Sequence, residues 1–460
     1  MRILYYNWDH IDGKIGGGVT IYQKNVLSEI VKNPKNEVFF LNSGYTYDNK
    51  KLRIEETENS FGNLVSSYEI INSPVLAPVT QSCRNLHNFL TDTSISILVT
   101  SFLERYGPFD VIHFNNLEGL SLEVLSLKTR YPNTKFIYSV HNYFPICSRV
   151  NLWKDEVSGN GHNCDKCDFS ECVLCYRKER YMSQIIRRRS EKSLFIWRKF
   201  NRLIAKVLSR LLPDKEDAVV YKEFELRTIQ AINENVDVIL AVSQRVKDIM
   251  INHGIEPNKV LVSYIGTKVA EHQYNHCNCK LNNMPFSIIY MGYMDRAKGF
   301  YFLLDVLEEI PKEVSQNVSV RIVARYQEMK NRKEIHRLKK LRSRFAKGEI
   351  INGYTHDNQK FLLNGMNLGI VPVLWEDNLP QVAIEQVAYG VPILVSDIGG
   401  TQEIVNNDNF IFRAGDKQEF IDKLIRIIDN RQLLDEFWTS KSHLITIEEH
   451  INELQNVYEK

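Results

Sequence analysis

No stretch of this chain stays apolar for the roughly 18–20 residues that a membrane-spanning helix needs. Its first residues turn polar after four apolar positions, too few for the apolar core of a secretion signal. Proline and glycine are sparse, 13 and 22 in 460 residues, which argues against a collagen-like or low-complexity chain. An excess of one charge is missing as well: 58 Lys+Arg face 56 Asp+Glu, so the mean of +2 implies no polyanionic partner. What remains is ordinary globular composition, 43% hydrophobic and 25% charged, at a length that predicts two or three domains. The expectation is a cytosolic chain with reduced thiols. Its eight cysteines then suggest metal ligation before disulfides.

Short apolar runs alternate with longer helical patterns. Ile3–Tyr6, Val38–Asn42, Val111–Phe114, Phe136–Val140 and Val238–Val242 read as buried parallel strands. Ile21–Val31 and Leu117–Leu127 read as helices between them. Ser287–Gly292, Val318–Ala324, Leu368–Val373 and Pro392–Ser396 form a second series. The prediction is α/β: two Rossmann-like, doubly wound domains facing a cleft, with phosphates at strand-to-helix turns. The first domain takes residues 1–268, interrupted by an insertion at 147–215 and completed by a C-terminal helix at 446–460. A polar linker spans 269–285, and the second domain takes 286–445.

The most informative stretch is Trp375–Glu403, WEDNLPQVAIEQVAYGVPILVSDIGGTQE. Asn378 can cap a helix that Pro380 starts and Gly390 with Pro392 stops. N–H groups around Leu379, Gln381 and Val382 would then carry the positive helix end, about half a charge, toward an anion such as a nucleoside diphosphate. Glu385, inside that helix, can accept hydrogen bonds from a ribose diol. Asp377, eight positions earlier, can hold sugar hydroxyls.

This string resembles the signature of family 4 retaining glycosyltransferases, which have the GT-B fold. Asp377 stands where the family's first acid is Glu, and Glu385 matches the second, which the resemblance assigns to the nucleotide ribose. Gly292-Tyr-Met-Asp-Arg-Ala-Lys298-Gly299 is similar to the loop whose Arg and Lys bind the donor diphosphate; Tyr293 fills the Arg position and Arg296 is a substitute in the same loop. Gly16-Gly17-Gly18 resembles the N-terminal glycine loop, which puts Gly17 and Gly18 among the donor-binding candidates. His141-Asn142-Tyr143 resembles a His-Asp-Tyr segment whose His contacts the donor sugar, and His113 ends a similar strand. The implied catalytic set is Asp377, His141 and Lys298, with no cofactor needed for the chemistry.

The insertion stands outside this resemblance. Cys164-x2-Cys167-x4-Cys172-x2-Cys175 can surround one structural Zn²⁺, with Cys147 an alternative ligand and an iron–sulfur cluster left open. Residues 177–211 carry twelve Lys/Arg against two Glu, a local +10 that leaves the rest of the chain at −8. Phe200, Leu203, Ile204, Val207, Leu208 and Leu211 form one helical stripe opposite Lys199, Arg202, Lys206 and Arg210. Two readings stand: a helix lying on an anionic membrane, or a stripe packed on the first domain. The function expected is transfer of a sugar from a nucleotide-diphospho-sugar to a glycan or lipid-linked acceptor in surface polysaccharide assembly, on the cytoplasmic membrane face. A nucleotide-sugar 2-epimerase of the same fold is the alternative. Nucleic-acid binding is disfavoured because few aromatics stand amid the basic residues.

Overall fold

Continuous apolar runs that bury both faces of a strand produce two parallel sheets in the computed structural model of this chain. The structure describes residues 1–460 apart from 14, 79–81, 155–160, 165–168, 176–180, 192, 212–216, 273–284 and 328–330. The chain divides into two units, one of Met1–Glu156, Cys164–Ile265 and Glu448–Lys460, the other of Val157–Asn163 and Gly266–Ile447. Most of the expected linker lies outside the described residues. Among the described residues no helix is long and apolar enough to cross a membrane.

The first unit is built on β1 (Arg2–Tyr6), β2 (Glu37–Ser43), β3 (Arg53–Thr57), β4 (Val65–Ile71), β5 (Val111–Phe114), β6 (Lys135–Val140), β7 (Val238–Ala241) and β8 (Val260–Val262). Their order is β8-β7-β6-β5-β1-β2-β4-β3, parallel except for β3, which runs antiparallel to β4 at the edge. Strand order reverses between β1 and β5, so their carboxyl ends flank the crevice where α/β ligands bind. The helix expected over Leu117–Leu127 is a correction: only Glu123–Ser126 and the short turn Leu127–Thr129 are helical. Tertiary packing overrides the spacing there. Gly119 lies at φ 81° against the Ser43 carbonyl, and the Tyr6 hydroxyl bonds the Glu118 carbonyl at 2.5 Å.

From Glu448 onward the C-terminal helix, Ile447–Glu459, belongs to this unit. Its Tyr458 hydroxyl lies 2.9 Å from that of Tyr5 and 2.7 Å from His113 Nδ1, while His113 Nε2 lies 2.8 Å from Ser139 Oγ. His113 is therefore a satisfied core histidine that ties the last helix to β5 and β6. Burial pushes its imidazole down to about 3, with His141 and His450 adding to the effect.

In the inserted segment, helix Tyr181–Arg189 is anchored to the unit: Tyr181 donates to the Pro74 carbonyl at 2.6 Å and Arg188 to that of Ala77 at 2.7 Å. Helix Phe195–Leu211 packs against it. Ala205 is buried in that contact, yet Ile196 (78%), Trp197 (57%), Phe200 (52%) and Leu203 (64%) are exposed. The small residue faces the protein and the large apolar ones face out. Leu208, Arg210 and Leu211 lie outside the residues whose side chains are described.

The second unit holds β9 (Phe286–Tyr293), β10 (Val318–Arg325), β11 (Lys347–Ile351), β12 (Leu368–Val371), β13 (Ile393–Ser396) and β14 (Ile411–Phe412). All are parallel, in the order β11-β10-β9-β12-β13-β14. Here the order reverses between β9 and β12. The loops leaving these two strands carry Arg296–Gly299 and Trp375–Asn378.

Candidate functional site

The two loops are locked together by backbone before any side chain acts. Leu374 N–H bonds the Ala297 carbonyl at 2.8 Å. Gly299, at φ 74°, caps helix Phe300–Glu309, and a Cβ on it would stand 1.7 Å from the Pro372 carbonyl oxygen, so no larger residue fits. That approach brings Lys298 Nζ to 2.6 Å from Asp377 Oδ2 and 4.8 Å from the centre of the Trp375 ring. Asp377 is 6% exposed, whereas the Lys298 side chain keeps 31% of its surface. An ammonium has three donor positions, so Lys298 can hold Asp377 and still present N–H groups to an anion. Arg296 takes a different place, with its guanidinium 5.1 Å from the centre of the Tyr301 ring on the following helix.

Helix Gln381–Ala388 starts later than its sequence suggests. Pro380, at ψ 119°, occupies the cap position without any side-chain capping bond, so the expectation that Asn378 caps a helix started by Pro380 is corrected. The cause lies in the glycine loop. Gly400 N–H bonds the Asp377 carbonyl at 2.8 Å, Gly399 N–H bonds Glu376 Oε2 at 3.2 Å, and a Cβ on Gly399 would meet the Asp377 carbonyl at 2.5 Å. Asp377 and Asn378 are thereby held in a buried, non-helical loop. Gln381 and Val382 are the residues at the positive helix end, and the Val382 side chain packs on the core around Ile289 and Tyr389.

Glu385, 4% exposed, accepts a hydrogen bond from the Tyr354 hydroxyl at 3.3 Å. Burial, with the Glu385 charge beside it, pushes the Tyr354 phenol up. Sequence reasoning missed Tyr354 and Trp375, although Trp375 is marked by standing two residues before the acid. It also missed Asn163, which donates to the Leu374 carbonyl at 2.8 Å and accepts from Glu376 N–H at 3.2 Å. These bonds place Asn163 with the second unit.

In the first unit the strand-order reversal gathers a polar group at the ends of β1, β5 and β6. Asp9 Oδ2 accepts from Gly16 N–H at 2.8 Å and from the Thr20 hydroxyl at 2.8 Å, shaping the glycine loop. Gly17, at φ 58°, precedes helix Gly18–Ile30, which has no side-chain cap. His141 Nε2 lies 3.2 Å from Asn115 Oδ1, and its ring lies 4.5 Å from that of Tyr22. Burial, then His450, lowers the His141 imidazole to about 3, so it is neutral at physiological pH. Asn142 Nδ2 donates to Glu118 Oε2 at 3.0 Å. Asp9 and Glu118 had no motif to announce them; each is an acid close after a strand end.

The cysteine ligand set expected from spacing is only partly described, because Cys167 lies outside the described residues. Cys164, Cys172 and Cys175 gather with Cys147 around one cavity of about 30 Å³. Burial, then the neighbouring Cys147, Cys164 and Cys175, pushes the Cys172 thiol up to about 12.

Two reversed parallel sheets with phosphate-type loops at their switch points define the GT-B fold. Residues 285–430 match the family described as glycosyl transferases group 1. The chain is similar to the Anabaena protein Alr3699/HepE in complex with UDP, at 14% identity and TM-score 0.58 over 100% of both chains. It is also similar to sucrose-phosphate synthase from Thermosynechococcus elongatus, at 15% identity and TM-score 0.60 over 100% of this chain and 98% of that one. A UDP-forming α,α-trehalose-phosphate synthase from Burkholderia xenovorans gives 13% identity and TM-score 0.60 over 100% of both. In sequence, 74 residues are 32% identical to the Escherichia coli UDP-Gal:alpha-D-GlcNAc-diphosphoundecaprenol alpha-1,3-galactosyltransferase, covering 16% of this chain and 19% of that protein's length.

Proposed function

We propose that this protein is a retaining glycosyltransferase that moves a sugar from a nucleoside-diphospho-sugar to a lipid-linked glycan acceptor in surface polysaccharide assembly. The observation that carries the proposal is Lys298 held against Asp377 where the second sheet reverses, beside a helix start that no side chain caps. The C1–O bond to the diphosphate breaks, the acceptor oxygen bonds C1 on the same face, and the acceptor proton passes to the departing phosphate. Lys298 and the N–H groups at Gln381 and Val382 stabilise the charge that grows on the leaving group. Asp377 orients sugar hydroxyls and Glu385 holds the ribose. His141 is the first unit's candidate for contact with the sugar. The UDP in the Anabaena complex and the diphosphoundecaprenol acceptor in the name of the Escherichia coli relative support the donor and acceptor classes. One NMR time course tests the reading, with a UDP-sugar donor and a diphospholipid-linked sugar. Appearance of a product with the donor's anomeric configuration is expected. Conversion of the donor without acceptor would mark an epimerase, and an inverted product would exclude retention.

A lipid-linked acceptor calls for a membrane contact, and helix Phe195–Leu211 has the chemistry for an anionic bilayer. Ile196, Phe200, Leu203 and Val207 form an exposed apolar stripe with Lys199 and Lys206 along one border. Each basic residue adds about 1 kcal/mol at an anionic surface. In co-sedimentation with phosphatidylglycerol-containing vesicles, Phe200→Ser with Leu203→Ser is expected to weaken binding roughly tenfold or more, given about 1.5–3 kcal/mol for each large apolar side chain fully buried. Equal partitioning of this variant and wild type would remove the helix as the membrane contact.

A further inference from the structure

We infer that Cys147, Cys164, Cys172 and Cys175 are the ligands of one tetrahedral, zinc-type metal ion, which fastens the turn after His141 to the inserted segment. Spacing alone favours Cys167 as the fourth thiol with Cys147 as the alternative; the fold brings Cys147 to the same cavity as Cys164, Cys172 and Cys175.

Cys147 sits in a turn that few sequences would adopt unaided. Its N–H bonds the Tyr143 carbonyl at 2.8 Å, and Val150 N–H returns to the Cys147 carbonyl at 2.8 Å. Val150 and Leu152 then take left-handed φ values of 61° and 49°, an uncommon conformation for any residue with a Cβ and an outlier for a β-branched one. Burial holds the Cys147 thiol above its ordinary range, and the turn opposes this by directing the backbone N–H groups of Arg149, Leu152 and Asn151 at the sulfur. Hydrogen bonds to sulfur favour the thiolate, which is the form that ligates a metal.

The other three sulfurs come from the inserted segment. Cys164 is pinned by its N–H to the Leu152 carbonyl at 2.7 Å, so it stands beside the same turn. Cys172 lies in helix Phe169–Leu174, and Cys175 N–H continues that helix by bonding the Glu171 carbonyl at 2.9 Å. A separation of three residues puts the two sulfurs on one side. All four line the same cavity of about 30 Å³. A space of that order admits a single water or ion. Four thiolates around a divalent cation leave a net charge of −2. The guanidinium of Arg149 answers it by bonding the Cys175 carbonyl at 3.2 Å, and Lys154 lies within electrostatic reach of Cys164 and Cys175. Among the described residues no three His, Cys, Asp or Glu side chains already stand at ligating distance from one point. Binding therefore draws the sulfurs inward across the cavity and releases their protons to solvent. A four-sulfur shell is closed, so the ion is structural and takes no part in transfer.

The test uses the full chain, expressed with zinc in the medium and purified under reducing conditions. Elemental mass spectrometry is expected to find one zinc per chain, with loss in Cys147→Ser and in Cys172→Ser. Retention is expected in Cys167→Ser and in Cys83→Ser, whose thiol accepts from Asp217 N–H elsewhere in the unit. Because a serine variant can fail to fold, wild-type protein is also stripped with a chelator and reloaded with zinc alone. Its thermal midpoint should fall and then recover. Absence of zinc, the visible absorption of an iron–sulfur cluster, or a disulfide among these cysteines would overturn the assignment. Zinc kept in Cys147→Ser but lost in Cys167→Ser would overturn the ligand set.

Discussion

Lys298→Ala is expected to weaken binding of free UDP by roughly 10-fold to 150-fold, the loss of one charge-assisted hydrogen bond of about 1.5–3 kcal/mol. Turnover should fall further, by roughly 10²–10³, because the same ammonium meets more charge as the diphosphate departs. The variant also disturbs the apo protein, since it leaves the Asp377 carboxylate buried without its cation. Breaking a buried pair costs about 3–5 kcal/mol, and the partial exposure of Lys298 puts this site at or below the lower end. The thermal midpoint of Lys298→Ala should therefore drop. Adding Asp377→Asn should restore the midpoint, because the uncompensated charge is gone. It should not restore UDP affinity if Lys298 holds the diphosphate. Asp377→Asn alone should bind UDP as well as wild type or better, since it removes a negative charge near an anion. Calorimetric titration of the three variants with UDP separates the roles. Recovery of UDP affinity in the double variant would mean that Lys298 only neutralises Asp377.

The pairing behind this prediction was partly legible before the fold was known. Lys298 and Asp377 each stood in a recognisable motif, and the apolar runs at 287–292 and 368–373 already implied strands leading into both loops. The bond between them was not legible, because it depends on strand order: β9 and β12 become neighbours only through the reversal in the sheet. Where local pattern and tertiary packing disagreed, packing won. Leu117, Leu120 and Leu127 have helical spacing, yet Gly119 must pass close to Ser43, and the chain turns instead. Asn378 is a good capping residue, but the glycine loop at 399–400 bonds the carbonyl of its predecessor and keeps it outside the helix. The edge strand Arg53–Thr57 was missed because Arg-Ile-Glu-Glu-Thr has no apolar run to mark it. Cys147 stood only as an alternative ligand for a related reason, since sixteen residues lie between it and Cys164 and only the turn at 143–152 brings it back to the same cavity.

Acidification should unfold the first unit well before ordinary carboxylates titrate. Two of its histidines, His113 and His450, are buried and His141 is half-buried: His113 and His141 are held down to about 3 and His450 to about 4, each chiefly by removal from water. His450 Nε2 lies 2.7 Å from the Tyr22 hydroxyl, and His113 is bonded on both ring nitrogens, so a neutral His113 ring is satisfied where it stands. In the unfolded chain all three return to about 6.5. Between the folded and unfolded values the unfolded state binds more protons, so stability rises with pH and is lost as pH falls through that window. Each group contributes up to about 1.4 kcal/mol per pH unit near its steepest, an upper bound for rings that water can reach on opening. Together they approach about 4 kcal/mol per unit, against a total stability of about 5–15 kcal/mol for a typical domain. The urea midpoint of the full chain should therefore fall steeply from pH 7 to pH 5. His113→Gln combined with His450→Gln should lower the midpoint at pH 7 but flatten its slope with pH by about two protons. Parallel slopes for this variant and wild type would show that the buried histidines do not control acid unfolding, and that the charge balance of the surface pairs does.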